Sequence, residues 1–159
     1  MIKIIATLLT IFAFNVSHAK VNVGIILGFT GPIETLTPGM SAGAELAFNE
    51  AADSGKLLNG QSINIIKVDS TCVDSAAATS AAESLISQGV TAIMGADCSG
   101  VTGAVLSNVA VPNGVPMISP SATSPGLTTA ADNGLFFRTA PSDARGGEVL
   151  ADITLSRGI

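Results

Sequence analysis

The residues best suited to chemistry in this chain are hydroxyls and sulfurs, because acid–base groups of the usual kind are scarce. Its single histidine is His18, and its two cysteines are Cys72 and Cys98. Residues 1–19 have the layout of a removable export signal: Lys3, an apolar run over 4–16, then small residues at Ser17 and Ala19 ahead of Lys20. That run is shorter than the ~20 apolar residues of a membrane span, and Asn15 interrupts it. Release into an exported compartment is therefore expected, and no cysteine follows the cleavage point to carry a lipid. With His18 gone, the usual general base, the Ser-His and Cys-His nucleophile pairs and most zinc sites go with it. Only lysine or carboxylate mechanisms are left for catalysis. Binding without chemistry gains by elimination, with no metal and no cofactor expected.

Two hydroxyl clusters suit such binding. Asp97-Cys98-Ser99-Gly100 leads into a helical pattern, which sets Ser99 at a helix start where free N–H groups and the helix dipole favour an anion. Ser99 and the amides after it can hold a carboxylate; alternatively, Ser99 simply caps its own helix. The second cluster is Ser119-Pro120-Ser121-Ala122-Thr123-Ser124-Pro125. A proline-bounded loop cannot satisfy all its polar groups through regular structure. Thr123 can donate to a carboxylate and accept from an ammonium, while the carbonyl of Ser121 or Ala122 can take further ammonium protons. The plainer reading is a polar loop whose hydroxyls face water. Two hydroxyl loops at neighbouring strand ends suit a zwitterion.

The cysteines each follow an expected strand at one edge of a sheet. Adjacent strand ends would bring them within disulfide reach, and an oxidising compartment preserves the bond; two free thiols are the alternative. A catalytic Cys98 is disfavoured because no histidine or nearby lysine would lower its pKa.

The elements that must position these groups alternate. Strands are expected at residues 21–27, 62–68, 90–95, from Val115 and from Leu135. Helices are expected from Pro38 to Gly55, from Asp74 as cap to Gly89, over 99–111, and from Ser142 or Asp143 to near Arg157. Such alternation predicts an α/β fold, a doubly wound, mainly parallel sheet with helices on both faces. Ligands then sit beyond the carboxyl ends of the strands. Those ends fall at residues 28–34, 70–74, 96–100 and 120–125.

Without the signal, 140 of the 159 residues remain, enough for one domain. Losing Lys3 takes the formal net charge from −5 to −6. An acidic chain with scattered basic residues does not attract nucleic acid. A nucleotide-binding enzyme on the same kind of sheet is disfavoured too. Gly28-Phe29-Thr30-Gly31-Pro32 lacks the G-x-G-x-x-G spacing that close pyrophosphate approach requires.

Several segments then come in a telling order: Gly28-Phe29-Thr30-Gly31-Pro32, Gly43-Ala44-Glu45-Leu46-Ala47, Asp69-Ser70-Thr71-Cys72, Cys98-Ser99, Met117 through Pro125, and Phe137-Arg138-Thr139-Ala140-Pro141-Ser142-Asp143. Together they resemble the amino-terminal lobe of the type I periplasmic binding proteins, in the leucine/isoleucine/valine-binding branch, over essentially all of residues 20–159. The resemblance implies that Ser99 and Thr123 bind a ligand's α-carboxylate. The Ser121 carbonyl, with Thr123, would meet its α-ammonium, Ala122 would lie in the same loop, and Cys72 and Cys98 would form the lobe disulfide. It further implies a monomeric periplasmic component of an ABC importer for amino acids or amides, partnered by an inner-membrane permease. A sensor's extracytoplasmic domain on the same fold is the alternative. A second lobe, absent from this chain, would close over the ligand. Two positions depart from the family pattern: Leu36 stands where the branched-chain binders carry an aromatic residue, and Gly146 where a glutamine is common. With no tyrosine or tryptophan, the resemblance does not by itself fix side-chain selectivity.

Overall fold

The computed structural model describes residues 20–56 and 60–159; the expected export signal lies outside them. Val21–Leu27 forms β1, Ile63–Asp69 β2, Val90–Gly95 β3, Met117–Ser119 β4 and Phe136–Arg138 β5. All pairs are parallel, in the order β2-β1-β3-β4-β5. β1 is rich in β-branched residues and is covered on both faces, with Ile25, Ile26 and Leu27 fully buried. A near-continuous apolar run of this kind marks a central parallel strand.

Helices close the first three crossovers, a 3-10 turn at Pro125–Thr128 lies in the fourth, and a last helix follows β5. Thr37–Asp53 forms α1, with proline in its first turn, where a missing N–H costs nothing. Ser75–Ser87 forms α2, capped by Asp74, whose Oδ1 accepts from the Ala76 and Ala77 amides at 2.9 and 3.0 Å. Ser99–Val105 forms α3, which runs on through a π-helical segment, Leu106–Ala110, into a last turn, α4 (Val111–Asn113). The wide turn lies directly upstream of Pro112. Widening relieves the clash between its ring and the carbonyl four residues back. Gly114, at φ +66°, ends the run in the left-handed conformation. Asp143–Ser156 forms α5, capped by Ser142 rather than by Asp143.

The core lies on one face of the sheet. There Ala78, Ala82 and Leu85 of α2 meet Val101 and Val105 of α3 over Ile26, Ile93 and Met117. Gly24 admits this packing, since a Cβ on it would stand 2.6 Å from Leu85 Cδ1. On the other face α1 lies over β1 and β2. An apolar groove of about 380 Å³ runs between α1 and Met94, Ile118 and Pro120. Ile118 and Phe137 are neighbours in register and stay exposed on that face. α5 buries none of its residues. Among the described residues no helix is long and apolar enough to cross a membrane.

The doubly wound parallel sheet agrees with expectation. Two strands are shorter than expected. Val115 sends its N–H to Ala110 O at 2.9 Å and so belongs to the helix end. Pro116 has no N–H to give, and the ladder starts at Met117.

Candidate ligand-binding site

The carboxyl ends of the strands bring the singled-out residues to one edge. Cys72 and Cys98 are bonded, with Cα atoms 5.2 Å apart. Their strands are not adjacent, as the sequence suggested, because β1 lies between β2 and β3. The bridge instead passes over the end of β1. Thr71 and Cys72, at φ +58° and +69°, turn the chain back to make it possible. Gly28 leaves the room, since a Cβ there would meet Cys72 Cβ at 3.2 Å.

Ser99 opens α3, one residue beyond that bridge. Its Oγ does not cap the helix; it accepts from the Ser124 amide at 3.1 Å. The hydroxyl proton is thus left for another acceptor. One bond therefore joins the two loops that the sequence put at neighbouring strand ends. Ser121 Oγ donates to the Asp97 carbonyl at 2.9 Å, a second link between the same loops. Ala122 is 1% exposed, with its amide on Ser119 Oγ at 3.0 Å and its carbonyl accepting from Arg138 Nη1 at 3.2 Å. Arg138 also donates to the Ser124 carbonyl at 2.8 Å. Arg138 thus occupies the Ala122 and Ser124 carbonyls and leaves the Ser121 carbonyl to another donor. Among the described residues, no hydrogen bond reaches the Ser121 carbonyl or leaves the Thr123 amide.

Thr123 Oγ1 donates to Asp143 Oδ2 at 2.8 Å, and the Asp143 amide donates to the Thr123 carbonyl at 3.0 Å. With its proton committed, Thr123 Oγ1 is left as an acceptor. Any share it takes in holding a carboxylate falls to its N–H. Asp143 is exposed and keeps Oδ1 open. The edge therefore carries a donor corner, Ser99 Oγ–H and the Thr123 amide, beside an acceptor corner, the Ser121 carbonyl, Thr123 Oγ1 and Asp143. Sequence reasoning saw Asp143 only as a possible helix cap, since nothing in the chain pattern ties it to a residue 20 positions upstream. Arg138 was part of a motif with no assigned task.

A separate network holds the first loop. At Asp69, burial works against ionisation. Hydrogen bonds from Thr30 Oγ1 and from the Thr71 and Thr30 amides outweigh it and hold the carboxyl below the ordinary aspartate value. Leu36, just ahead of α1, is 59% exposed.

A profile described as periplasmic binding protein matches residues 20–158. Leu/Ile/Val-binding protein homolog 3 of Brucella melitensis is 30% identical over 146 residues, 92% of this chain and 39% of that protein. The branched-chain amino acid substrate-binding protein LivJ of Streptococcus pneumoniae, solved with isoleucine, is 31% identical with a TM-score of 0.69, over 79% of this chain and 35% of that one. A solute-binding protein of R. palustris, solved with benzoate, is 28% identical with a TM-score of 0.73, over 89% and 38%. The chain thus spans about two-fifths of the length of the curated relatives it matches. On the profile that covers it, the parallel sheet and the disulfide-bridged edge, the chain belongs to the periplasmic binding protein family.

Proposed function

We propose that this chain is the amino-terminal lobe, residues 20–159, of an exported two-lobed solute-binding protein. It holds a small amino acid for an ABC importer in the inner membrane and performs no chemistry on it. The observation that carries the reading is the pairing of a donor corner at Ser99 and Thr123 N–H with an acceptor corner at the Ser121 carbonyl, Thr123 Oγ1 and Asp143. A carboxylate fits the first and an ammonium the second. One molecule bearing both on one carbon spans the two. Relatives named for leucine, isoleucine and valine support an α-amino acid with an apolar side chain.

A second reading is supported by the benzoate-bound relative: a carboxylate ligand without an ammonium would use the donor corner alone. Asp143 distinguishes the two, since an acceptor carboxylate beside an anionic ligand repels it unless an ammonium intervenes. In either case the second lobe supplies the opposite wall, and one wall alone binds weakly. Isothermal calorimetry with L-leucine, L-isoleucine, L-valine and benzoate, on this lobe and on the two-lobed protein, tests the proposal. Micromolar or tighter binding of an amino acid by the two-lobed protein and millimolar or no binding by the lobe is the expected result. Tight binding by the lobe alone, or of benzoate in preference to every amino acid, overturns it.

A further inference from the structure

We infer that Asp97 is the positioning residue of this edge, setting Ser99 and Ser121 in register through a buried carboxylate. Asp97 is 2% exposed. Its Oδ2 accepts from the Gly28 amide at 2.6 Å, and its Oδ1 from Ser70 Oγ at 3.2 Å and from the Cys98 amide at 2.9 Å. Its carbonyl accepts from Ser121 Oγ at 2.9 Å. A single residue therefore ties together the ends of β1, β2, β3 and β4.

Stability alone argues against a carboxylate here. A buried acid is costly unless every lone pair is served, and apolar residues of similar size pack as well or better. The flanking Ala96 and the nearby Ala122 are apolar and fully buried. What an acceptor-only group adds is direction: three donors from three strand ends can converge on it and on no apolar side chain. The Cys98 amide and the Asp97 carbonyl are the two ends of one peptide unit, one residue before Ser99; Asp97 Oδ1 holds the first and Ser121 Oγ the second. Fixing Asp97 thus fixes the spacing between donor and acceptor corners. Gly28 is part of the device, since a Cβ on it would stand 3.3 Å from Asp97 Oδ2.

The ligand side of this inference rests on the proposed function; its structural side does not, and the test separates them. Amide hydrogen exchange on this chain compares wild type with Asp97→Asn, which keeps the shape but turns an NH₂ toward one of the donors. Exchange should rise about tenfold or more at Gly28 and Cys98, and also at Ala122 and Ser124 across the edge, while Ile25 and Ile93 keep their protection. Faster exchange confined to Gly28 and Cys98 overturns the inference. Ser70→Ala, which drops one hydrogen bond, gives the same pattern at smaller amplitude and serves if the first variant does not fold. In the two-lobed protein, titration with L-leucine compares Asp97→Asn, Ser99→Ala and the pair. Losses that fail to add, the double variant binding within about threefold of Ser99→Ala, support positioning; fully additive losses overturn it. Wild-type protein that binds none of the amino acids sinks the proposed function and leaves the exchange result to decide Asp97.

Discussion

The Thr123 hydroxyl gives its proton to Asp143 Oδ2 across 2.8 Å, and the Asp143 amide answers to the Thr123 carbonyl at 3.0 Å. The pair ties the loop after β4 to the first turn of α5 and makes an acceptor of a side chain that could have been a donor. Asp143→Asn keeps an oxygen for Thr123 and removes the charge. A hydrogen bond to a charged group contributes about 1.5–3 kcal/mol, so L-leucine affinity in the two-lobed protein should fall about tenfold or more. Helicity of α5 should hold, because Ser142 supplies the cap. Calorimetry beside far-ultraviolet circular dichroism checks both, and unchanged affinity would remove Asp143 from the site.

Cys72 and Cys98 close a loop of sequence separation 26 across the end of β1. The chain-entropy relation gives roughly 3.5 kcal/mol for a loop of that length. Replacing both cysteines by alanine should lower the urea midpoint accordingly and steepen the transition, because the unbridged unfolded chain is less compact and exposes more surface. A loss under about 1 kcal/mol would mean that Gly28 and Asp97 hold the edge without the bridge.

Gly95 ends β3 at φ +125°, and a Cβ on it would lie 1.9 Å from the Ile26 carbonyl oxygen. Backbone cannot yield as a flexible side chain does. Gly95→Ala should cost roughly 3 kcal/mol or more, or abolish folding. Gly43, exposed in the middle of α1 with nothing within 4 Å of the same position, makes the control. Gly43→Ala should stabilise by about 1 kcal/mol. Thermal unfolding of the two variants should move in opposite directions.

Asp69 has a carboxyl held below its ordinary value of 3.8 in the folded chain. A depressed folded value means that the unfolded chain takes up the proton first as pH falls. The stabilisation is then fully present above the unfolded value and is lost as pH drops through the folded one. The stability difference between wild type and Asp69→Asn should be flat above about pH 5 and shrink below about pH 4. Denaturant curves from pH 2.5 to 7 would show this; a difference that grew on acidification would contradict the assignment.

Much of the fold was legible because the signals are local. β1 and β3 match their expected bounds, being β-branched runs that close on glycine. Asp74 was legible as a cap, since the bonds it makes reach only two and three residues ahead. The π-helical segment was not, because a widened turn leaves the apolar spacing of residues 99–113 nearly unchanged. The hydroxyl clusters were found as clusters, but not the way their protons point. Thr123 looked equally able to give or to accept until Asp143 arrived from 20 residues away.

By itself, then, the sequence determined the alternation of strands and helices, the bounds of β1 and β3, and which hydroxyls and sulfurs stand at the strand ends. These follow from torsional preference, caps and apolar period, which act within a few residues. Only the tertiary structure decided the order β2-β1-β3-β4-β5. That order put the disulfide over β1 instead of between neighbours, and set Asp97 where three strand ends could share its carboxylate. Hydrogen bonds between loops far apart in the chain depend on where the sheet puts their ends, and strand order arises from the packing of whole layers, to which no short stretch of sequence refers.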